Sequence, residues 1–103
     1  MSKFTDVSVV KAANIYFDGK VTSRTLEFSD GTIKTLGLML PGEYEFGTSQ
    51  PELMEITAGH LRYKLPGSDQ WQEVRGGESF HVPGDARFNV DVKDVTDYIC
   101  SYL

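Results

Sequence analysis

Apolar and polar residues alternate along most of this chain in short runs, with the two-residue period of β-strands. In the run 60–65 the apolar side chains occupy the odd-numbered positions, and in the run 88–93 they occupy the even-numbered ones. Each of these runs therefore has one apolar and one solvated face, as strands of antiparallel sheets commonly do. No segment of ten or more residues has a helical period, so the pattern predicts an all-β protein.

Turn-forming residues divide the runs at the spacing of an all-β sandwich or barrel. The sequence Ser29-Asp30-Gly31 stands between two alternating runs and predicts a β-hairpin. Elsewhere glycine and proline supply the positive or fixed φ angles that tight turns need. The predicted strands are residues 15–17, 21–28, 32–40, 44–48, 53–57, 61–65, 72–74, 79–82, 87–92 and 97–103.

A chain of 103 residues predicts a single domain. We place this domain at residues 14–103 and interpret residues 1–13 as an N-terminal arm, which either packs on a neighbouring subunit or frays. The arm contains a short apolar cluster at residues 7–10. A domain of this size buries only about two thirds of the surface of its unfolded chain, so a second subunit would add to its stability. We therefore expect a homodimer.

Charge and cysteine content indicate which class of binding partner and which cellular compartment to expect. A net charge of −5 argues against a nucleic-acid partner, which would require a basic patch, and favours a small molecule or a protein. No stretch approaches the roughly 20 apolar residues of a membrane span, and the N-terminus lacks a signal-peptide pattern. The single cysteine, Cys100, cannot form an internal disulfide and is expected to be a small buried hydrophobe. We expect a cytoplasmic protein without membrane contact.

Two pairs of residues keep the spacing of known sequence motifs. Six residues separate Glu52 from Gly59, and five residues separate Gly77 from Pro83, with a turn at residues 66–67 between the two pairs. This arrangement resembles the paired motifs of the cupins. The resemblance implies a cupin-type antiparallel β-barrel of the jelly-roll kind.

The metal-binding histidines of cupins are missing from this pattern. The positions of the cupin His-x-His fall either on Glu45 and Gly47 or on Phe46 and Thr48, and the third histidine position falls on Phe88. Such a set cannot replace the imidazoles that hold iron, manganese, copper or zinc. We therefore predict no metal ligands and no metal cofactor.

The two histidines of the chain do not restore a metal site. His60 shares the polar face of its run, and His81 is expected to point away from the apolar face of its strand. Both are predicted to be solvated or hydrogen-bonded surface residues.

A set of short motifs spread over residues 16–103 carries a closer resemblance than the cupin spacing does. The blocks are residues 16–21, 42–46, 51–54, 59, 65–66, 71–72, 79–84 and 98–103. Together they resemble the pyrimidine/purine nucleoside phosphorylase family of small cupins. The resemblance implies a homodimeric pentosyltransferase that converts purine and pyrimidine nucleosides to free base and ribose 1-phosphate. Inorganic phosphate is then the co-substrate, and no metal is needed.

Glu52 is the residue that we expect to be catalytic in such a reaction. The ribose gains positive charge in the transition state, and a carboxylate can both stabilise that charge and accept hydrogen bonds from the ribose hydroxyls. The cupin pattern points Glu52 into the barrel, and strand parity places Met54 on the same face. The alternative is a carboxylate at the rim that faces water.

Further candidates for substrate binding come from the positions around the missing histidines. Aromatic rings stack on any base, which would account for tolerance of both purines and pyrimidines. The aromatic candidates are Tyr44, Phe46 and Phe88, although Phe88 is also suited to filling the barrel. Hydroxyl donors and cations for phosphate are the remaining candidates, namely Thr48, Ser49, Lys20, Arg24 and Arg87.

Two other functions remain open at this point. The same barrel could bind a sugar or nucleotide without chemistry, because function resides in the site and not in the architecture. A metal-free sugar isomerase would need a histidine base inside the barrel, which the expected positions of His60 and His81 do not supply.

Overall fold

The computed structural model describes residues 2–103, which form eleven β-strands and one short 3₁₀ turn. Within this range no helix is long and apolar enough to cross a membrane. The strands are β1 (Val7–Val9), β2 (Asn14–Tyr16), β3 (Val21–Phe28), β4 (Ile33–Met39), β5 (Gly42–Thr48), β6 (Glu52–Ala58), β7 (His60–Lys64), β8 (Gln72–Arg75), β9 (Ser79–Val82), β10 (Ala86–Val92) and β11 (Thr96–Tyr102). The 3₁₀ turn, Phe17–Gly19, joins β2 to β3. The all-β prediction is confirmed.

The strands form two antiparallel sheets. The seven-stranded sheet has the order β1-β3-β4-β11-β6-β9, with β2 also paired to β3, and the four-stranded sheet has the order β5-β10-β7-β8. The non-consecutive neighbours are typical of a jelly roll, so the predicted architecture is confirmed, with two separate sheets in place of one closed barrel. The predicted hairpin at Ser29-Asp30-Gly31 joins β3 to β4.

The core lies between the facing sheets and is filled by the inward side chains of both. Tyr63 of the four-stranded sheet stacks on Phe80 of the seven-stranded sheet, with the ring centroids 3.8 Å apart and the planes 7° from parallel. Such a pair adds about 0.5–1.5 kcal/mol to the gain from burial alone. The largest side chains that are almost wholly buried are Phe88, Met39, Ile56, Leu61, Val21, Val82, Val90 and Thr96.

Asp91 departs from the alternation expected of its strand. The sequence pattern placed it on a solvated face, but only 8% of the residue is exposed. Its Oδ2 atom accepts hydrogen bonds from Arg62 Nε and Lys93 Nζ, both at 2.8 Å. The Arg62 guanidinium in turn lies 4.6 Å from the ring centroid of Trp71. The long side chains of its partners therefore cover the carboxylate.

The residues that we interpreted as an arm contribute a strand to the chain's own sheet. β1 pairs with β3, so that Val7 is opposite Phe28 and Val9 is opposite Leu26. The Phe4 ring packs edge-on against Phe28, with the ring centroids 5.2 Å apart. This strand has only three residues and no buried one, so no periodic pattern of apolar residues marks it in the sequence.

Gly59 makes the tight connection between β6 and β7 possible. Its φ of +106° lies in the region that side chains disfavour, and a Cβ there would come within 2.6 Å of Thr96 Oγ1. This glycine ends the first of the two cupin-like motifs. The backbone geometry therefore explains why the motif has a glycine at this position.

Candidate functional site

A cavity of about 350 Å³ lies between the two sheets, beside β5 and the 3₁₀ turn. One wall comes from the inner face of the seven-stranded sheet and carries polar groups. The opposite wall is mainly aromatic. The lining residues are Tyr16, Phe17, Ser23, Thr35, Met39, Glu45, Phe46, Gly47, Glu52, Met54, Phe88, Tyr98, Cys100 and Tyr102.

Glu52 and Cys100 form a hydrogen-bonded pair in the polar wall. The Cys100 thiol donates to Glu52 Oε1 with an Sγ to Oε1 distance of 3.4 Å. Burial raises the pKa of the Glu52 carboxyl above its ordinary value of 4.5, and the hydrogen bond from Cys100 opposes part of that rise. Burial and the neighbouring carboxylate raise the pKa of the Cys100 thiol to about 12, so the thiol stays protonated and acts as a donor. The buried position expected for Cys100 from the sequence is confirmed.

β11 supplies three inward side chains to this wall, Tyr98, Cys100 and Tyr102. Tyr98 is paired in register with Gly37 of β4, and a Cβ at Gly37 would approach the Tyr98 ring to 2.8 Å. The glycine therefore leaves room for the tyrosine ring over the sheet. Burial raises the pKa of Tyr102 to about 12 and also raises that of Tyr98. Both phenols are thus protonated donors at neutral pH.

The aromatic wall is a continuous cluster of rings from β5, β10 and the 3₁₀ turn. The ring centroids of Phe46 and Phe88 are 5.7 Å apart, and the Phe17 centroid lies 5.5 Å from that of Phe46. Phe17 also packs against Tyr44, with the centroids 4.9 Å apart. A flat heterocycle entering the cavity would therefore meet aromatic carbon on this side and hydrogen-bonding groups on the other.

The rim carries an exposed ion pair. Glu45 lines the cavity, and its Oε1 atom accepts a hydrogen bond from Arg87 Nη1 at 3.0 Å. The two side chains are 51% and 77% exposed, so water screens the pair and its net stabilisation is small. Arg87 is therefore free to exchange its partner at little cost.

Four of the residues proposed from the sequence come together in this cavity. They are Glu52, Phe46, Met54 and Phe88. Tyr44 lies beside them without lining the cavity, because it is buried and its hydroxyl donates to the Leu40 carbonyl oxygen at 2.7 Å. The cupin motif positions had indicated Glu52, Phe46 and Phe88, and strand parity had added Met54.

The hydroxyl and cationic candidates lie outside the cavity. The Thr48 hydroxyl donates to the Pro83 carbonyl oxygen at 2.7 Å and so holds a neighbouring turn. Ser49 and Lys20 are not among the lining residues. Arg24 follows the cavity-lining Ser23 in β3, so it points to the outer face of its sheet. Arg87 reaches the rim only through Glu45.

Several lining residues were missed by the sequence reasoning. Alternation within residues 98–102 puts Tyr98, Cys100 and Tyr102 on one face, and this signal was available. Ser23 and Thr35 could not be assigned in the same way, because they reach the site through the pairing of β3 with β4 and of β4 with β11.

The donor groups of the cavity do not fit the transition-metal site of a typical cupin. The cavity lining includes no histidine among the residues described, and its carboxylates are Glu52, bonded to Cys100, and Glu45, paired with Arg87. Within residues 2–103 no three histidine, cysteine or carboxylate side chains come close enough to hold a metal ion. We accordingly derive no step through a metal.

Comparison with known proteins identifies relatives of the whole chain. A family model described as pyrimidine/purine nucleoside phosphorylase matches residues 11–102. A curated protein of that name from Sulfurovum sp. (strain NBC37-1) is 64% identical over 103 residues, which is 100% of both chains. A crystal structure of a protein of unknown function from Acinetobacter sp. ADP1 superposes with a TM-score of 0.95 and 42% identity, over 98% of each chain.

A more distant structure shows the wider fold class. A cupin superfamily protein from Desulfitobacterium hafniense is 20% identical and superposes with a TM-score of 0.67, over 81% of this chain and 76% of its own. The fold is therefore that of the cupins, as the motif spacing predicted. Because the family model matches residues 11–102 and the Sulfurovum relative matches over its full length, this chain belongs to the pyrimidine/purine nucleoside phosphorylase family.

Proposed function

We propose that this chain is a pentosyltransferase that cleaves purine and pyrimidine nucleosides with inorganic phosphate, giving free base and ribose 1-phosphate. The observation that carries the proposal is a cavity in which the Glu52 carboxylate faces a wall of aromatic rings. Such a cavity offers one side to a ribose and the other to a base of either kind. The name borne by the family and by its curated members supports the same activity.

In the proposed reaction the bond between the anomeric carbon and the base nitrogen breaks as a bond from that carbon to a phosphate oxygen forms. The ribose ring carries positive charge in the transition state, and the Glu52 carboxylate stabilises that charge. The proton of hydrogen phosphate passes to the departing base, so that no further reactant is required. In the same wall, the hydroxyls of Thr35 and Tyr102 offer hydrogen bonds to the ribose.

Arg87 is the cation that we propose for phosphate. Its guanidinium already holds the Glu45 carboxylate at the rim of the cavity through one hydrogen bond, and an incoming phosphate can replace that carboxylate as the acceptor. None of the three cations lines the cavity, but within residues 2–103 only Arg87 among them has a side-chain hydrogen bond to a lining residue, Glu45. Arg24 also lies on the outer face of its sheet, so it and Lys20 are less suited.

We further propose that the enzyme is a cytoplasmic homodimer. The free, buried cysteine suits a reducing compartment. One row across the outer face of the seven-stranded sheet runs Arg24, Leu36, Ile99 and Glu55, from β3 to β6. A two-fold axis through the apolar centre of that row would place Arg24 of each chain opposite Glu55 of the other. Along this row the face is thus complementary to itself in charge, with an apolar centre.

The test of the activity is incubation with uridine or inosine, with and without phosphate, followed by chromatography of the products. Release of free base that depends on phosphate supports the phosphorylase. Binding of nucleoside without base release would contradict it and would select a binding protein of the same fold. Glu43→Ala is a suitable control for variants of the site, because Glu43 is exposed and lies outside the cavity.

A further inference from the structure

The 3₁₀ turn beside the cavity has an unusual backbone. Three consecutive residues have positive φ angles, Phe17 at 52°, Asp18 at 56° and Gly19 at 89°. Glycine adopts this conformation freely, but a bulky side chain such as phenylalanine rarely does. The sequence therefore places an aromatic residue where the backbone disfavours it.

Burial does not explain this strain. None of the residues of the turn is buried, and Phe17 is 42% exposed. The ring nevertheless packs against Tyr44 and Phe46 at centroid distances of 4.9 and 5.5 Å and lines the cavity. A strained residue that keeps an exposed aromatic ring at the edge of a cavity is a pattern found at ligand-binding sites.

The orientation of the Phe17 ring gives the cavity an aromatic corner. Its plane stands at 88° to that of Phe46, whereas Phe46 and Phe88 are inclined at only 33°. A flat ring placed in this corner can lie against the face of one phenylalanine while its edge meets the other. Neither contact depends on which donors and acceptors the edge of the heterocycle carries.

We propose that Phe17 contacts the base of the nucleoside and forms the outer side of the base subsite, and that the left-handed turn holds it there. This inference rests on the proposed function and adds to it a residue that makes the site tolerant of both purines and pyrimidines. Stacking of this kind acts in the ground state and in the transition state alike, so it contributes to affinity more than to the chemical step.

Four variants distinguish the contribution of the aromatic ring from that of the backbone conformation and from that of apolar packing. Phe17→Ala removes the ring, Phe17→Leu keeps apolar bulk without an aromatic face, and Phe17→Tyr keeps the face. Asp18→Gly relieves strain in the neighbouring residue and leaves the ring in place. We expect Phe17→Ala and Phe17→Leu to raise KM by about tenfold or more for both uridine and inosine, with kcat within about twofold, the scale of losing one stacked ring.

The two controls are expected to behave differently. Phe17→Tyr restores the wild-type KM, and Asp18→Gly raises the melting temperature without changing KM, because glycine adopts the same φ without strain. If Phe17→Ala does not fold, Phe17→Leu carries the test. Calorimetry with each nucleoside in the absence of phosphate gives a Kd that is independent of turnover.

The outcomes distinguish this inference from the proposed function. Wild-type KM and Kd in both Phe17→Ala and Phe17→Leu, or a loss confined to kcat, would overturn the role of Phe17 and leave the phosphorylase intact. A wild-type protein that binds nucleosides without cleaving them, with binding weakened in both variants, would support Phe17 and overturn the phosphorylase. A wild-type protein that binds neither nucleoside would overturn both.

Discussion

At the scale of single residues, Glu52 bears the greatest part of the proposed chemistry. We expect Glu52→Ala to lower kcat by about 100-fold or more for uridine and inosine alike, since the carboxylate acts on the ribose and not on the base. Steady-state kinetics on both substrates measures this, with Glu43→Ala as the matched removal of an exposed glutamate. A folded Glu52→Ala protein with near wild-type turnover would show that the ribose is held elsewhere.

The pH dependence of the reaction follows from the surroundings of the same residue. Burial raises the pKa of Glu52, so its carboxylate becomes protonated at a higher pH than an exposed glutamate with the ordinary value of 4.5. We therefore expect kcat/KM to begin to fall while the pH is still above 4.5 as the solution is made more acidic. Because the pKa values of Cys100 and Tyr102 lie at about 12, neither titrates in this range.

Cys100 provides a direct test of that assignment. Its hydrogen bond lowers the pKa of Glu52, so Cys100→Ala should move the acid limb to higher pH, whereas Cys100→Ser keeps a donor and should not. The measurement is the pH profile of kcat/KM for the three proteins. An acid limb that is identical in all of them would show that Glu52 does not titrate in it.

Motif spacing and strand parity together explain which site residues could be predicted. The cupin pattern placed Glu52 and Phe88 at the site, and strand parity added Met54. Phe17 could not be predicted, because its position depends on a left-handed backbone for which only Gly19 gives a sequence signal.

At the scale of elements, Asp91 joins two strands of the four-stranded sheet. A hydrogen bond from Lys93 is the main cause that lowers the pKa of Asp91, with a further contribution from Arg62. We expect Asp91→Asn to reduce the free energy of unfolding by about 1–3 kcal/mol at pH 7, the scale of a hydrogen bond to a buried charge. Urea unfolding measures this.

The lowered pKa of Asp91 determines how its contribution to the free energy of unfolding changes with pH. The stabilisation is present above the ordinary value of 3.8 and is lost as the pH falls through the lower pKa of the folded protein. The difference between wild type and Asp91→Asn should therefore shrink below pH 3.8. A difference that stays constant into strong acid would contradict the ionic origin of the effect.

Most element boundaries lie within one or two residues of those predicted from the sequence pattern. β3 and β9 have the predicted limits, whereas the strand predicted at residues 15–17 is displaced to Asn14–Tyr16 because the chain turns at Phe17. Asp91 was assigned to a solvated face because alternation reports the direction of a side chain and not what covers it. The two cations that cover it, Arg62 and Lys93, belong to another strand and to the following loop.

At the scale of the whole molecule, the cupin jelly-roll fold followed from motif spacing, but the division into two separate sheets and the strand order did not. That order depends on long-range pairings such as β11 between β4 and β6, which no local pattern encodes. The exposed apolar residues on the outer face of the larger sheet became visible only once these pairings were known. They include Val9, Ile15, Leu36 and Leu38, which are between 38% and 66% exposed.

This outer face leads to the prediction of assembly. We expect light scattering at micromolar concentration to give about 23 kDa, twice the 11.5 kDa of one chain. Leu36→Glu should yield a monomer, because it places a charge at the centre of the apolar row, whereas Val95→Glu, at an exposed loop position, should not. A wild-type mass near 11.5 kDa would contradict the dimer.

The central claim is that ribose is transferred from a base to phosphate. Phosphorus-31 NMR of the wild-type protein with inosine, and separately with uridine, in phosphate buffer follows ribose 1-phosphate directly, while chromatography of the same samples gives the free base. We expect the two products in equal amounts for both nucleosides, and formation of both products about 100-fold slower or more with Glu52→Ala at the same enzyme concentration. Free base without ribose 1-phosphate, or no product from either nucleoside, would contradict the account.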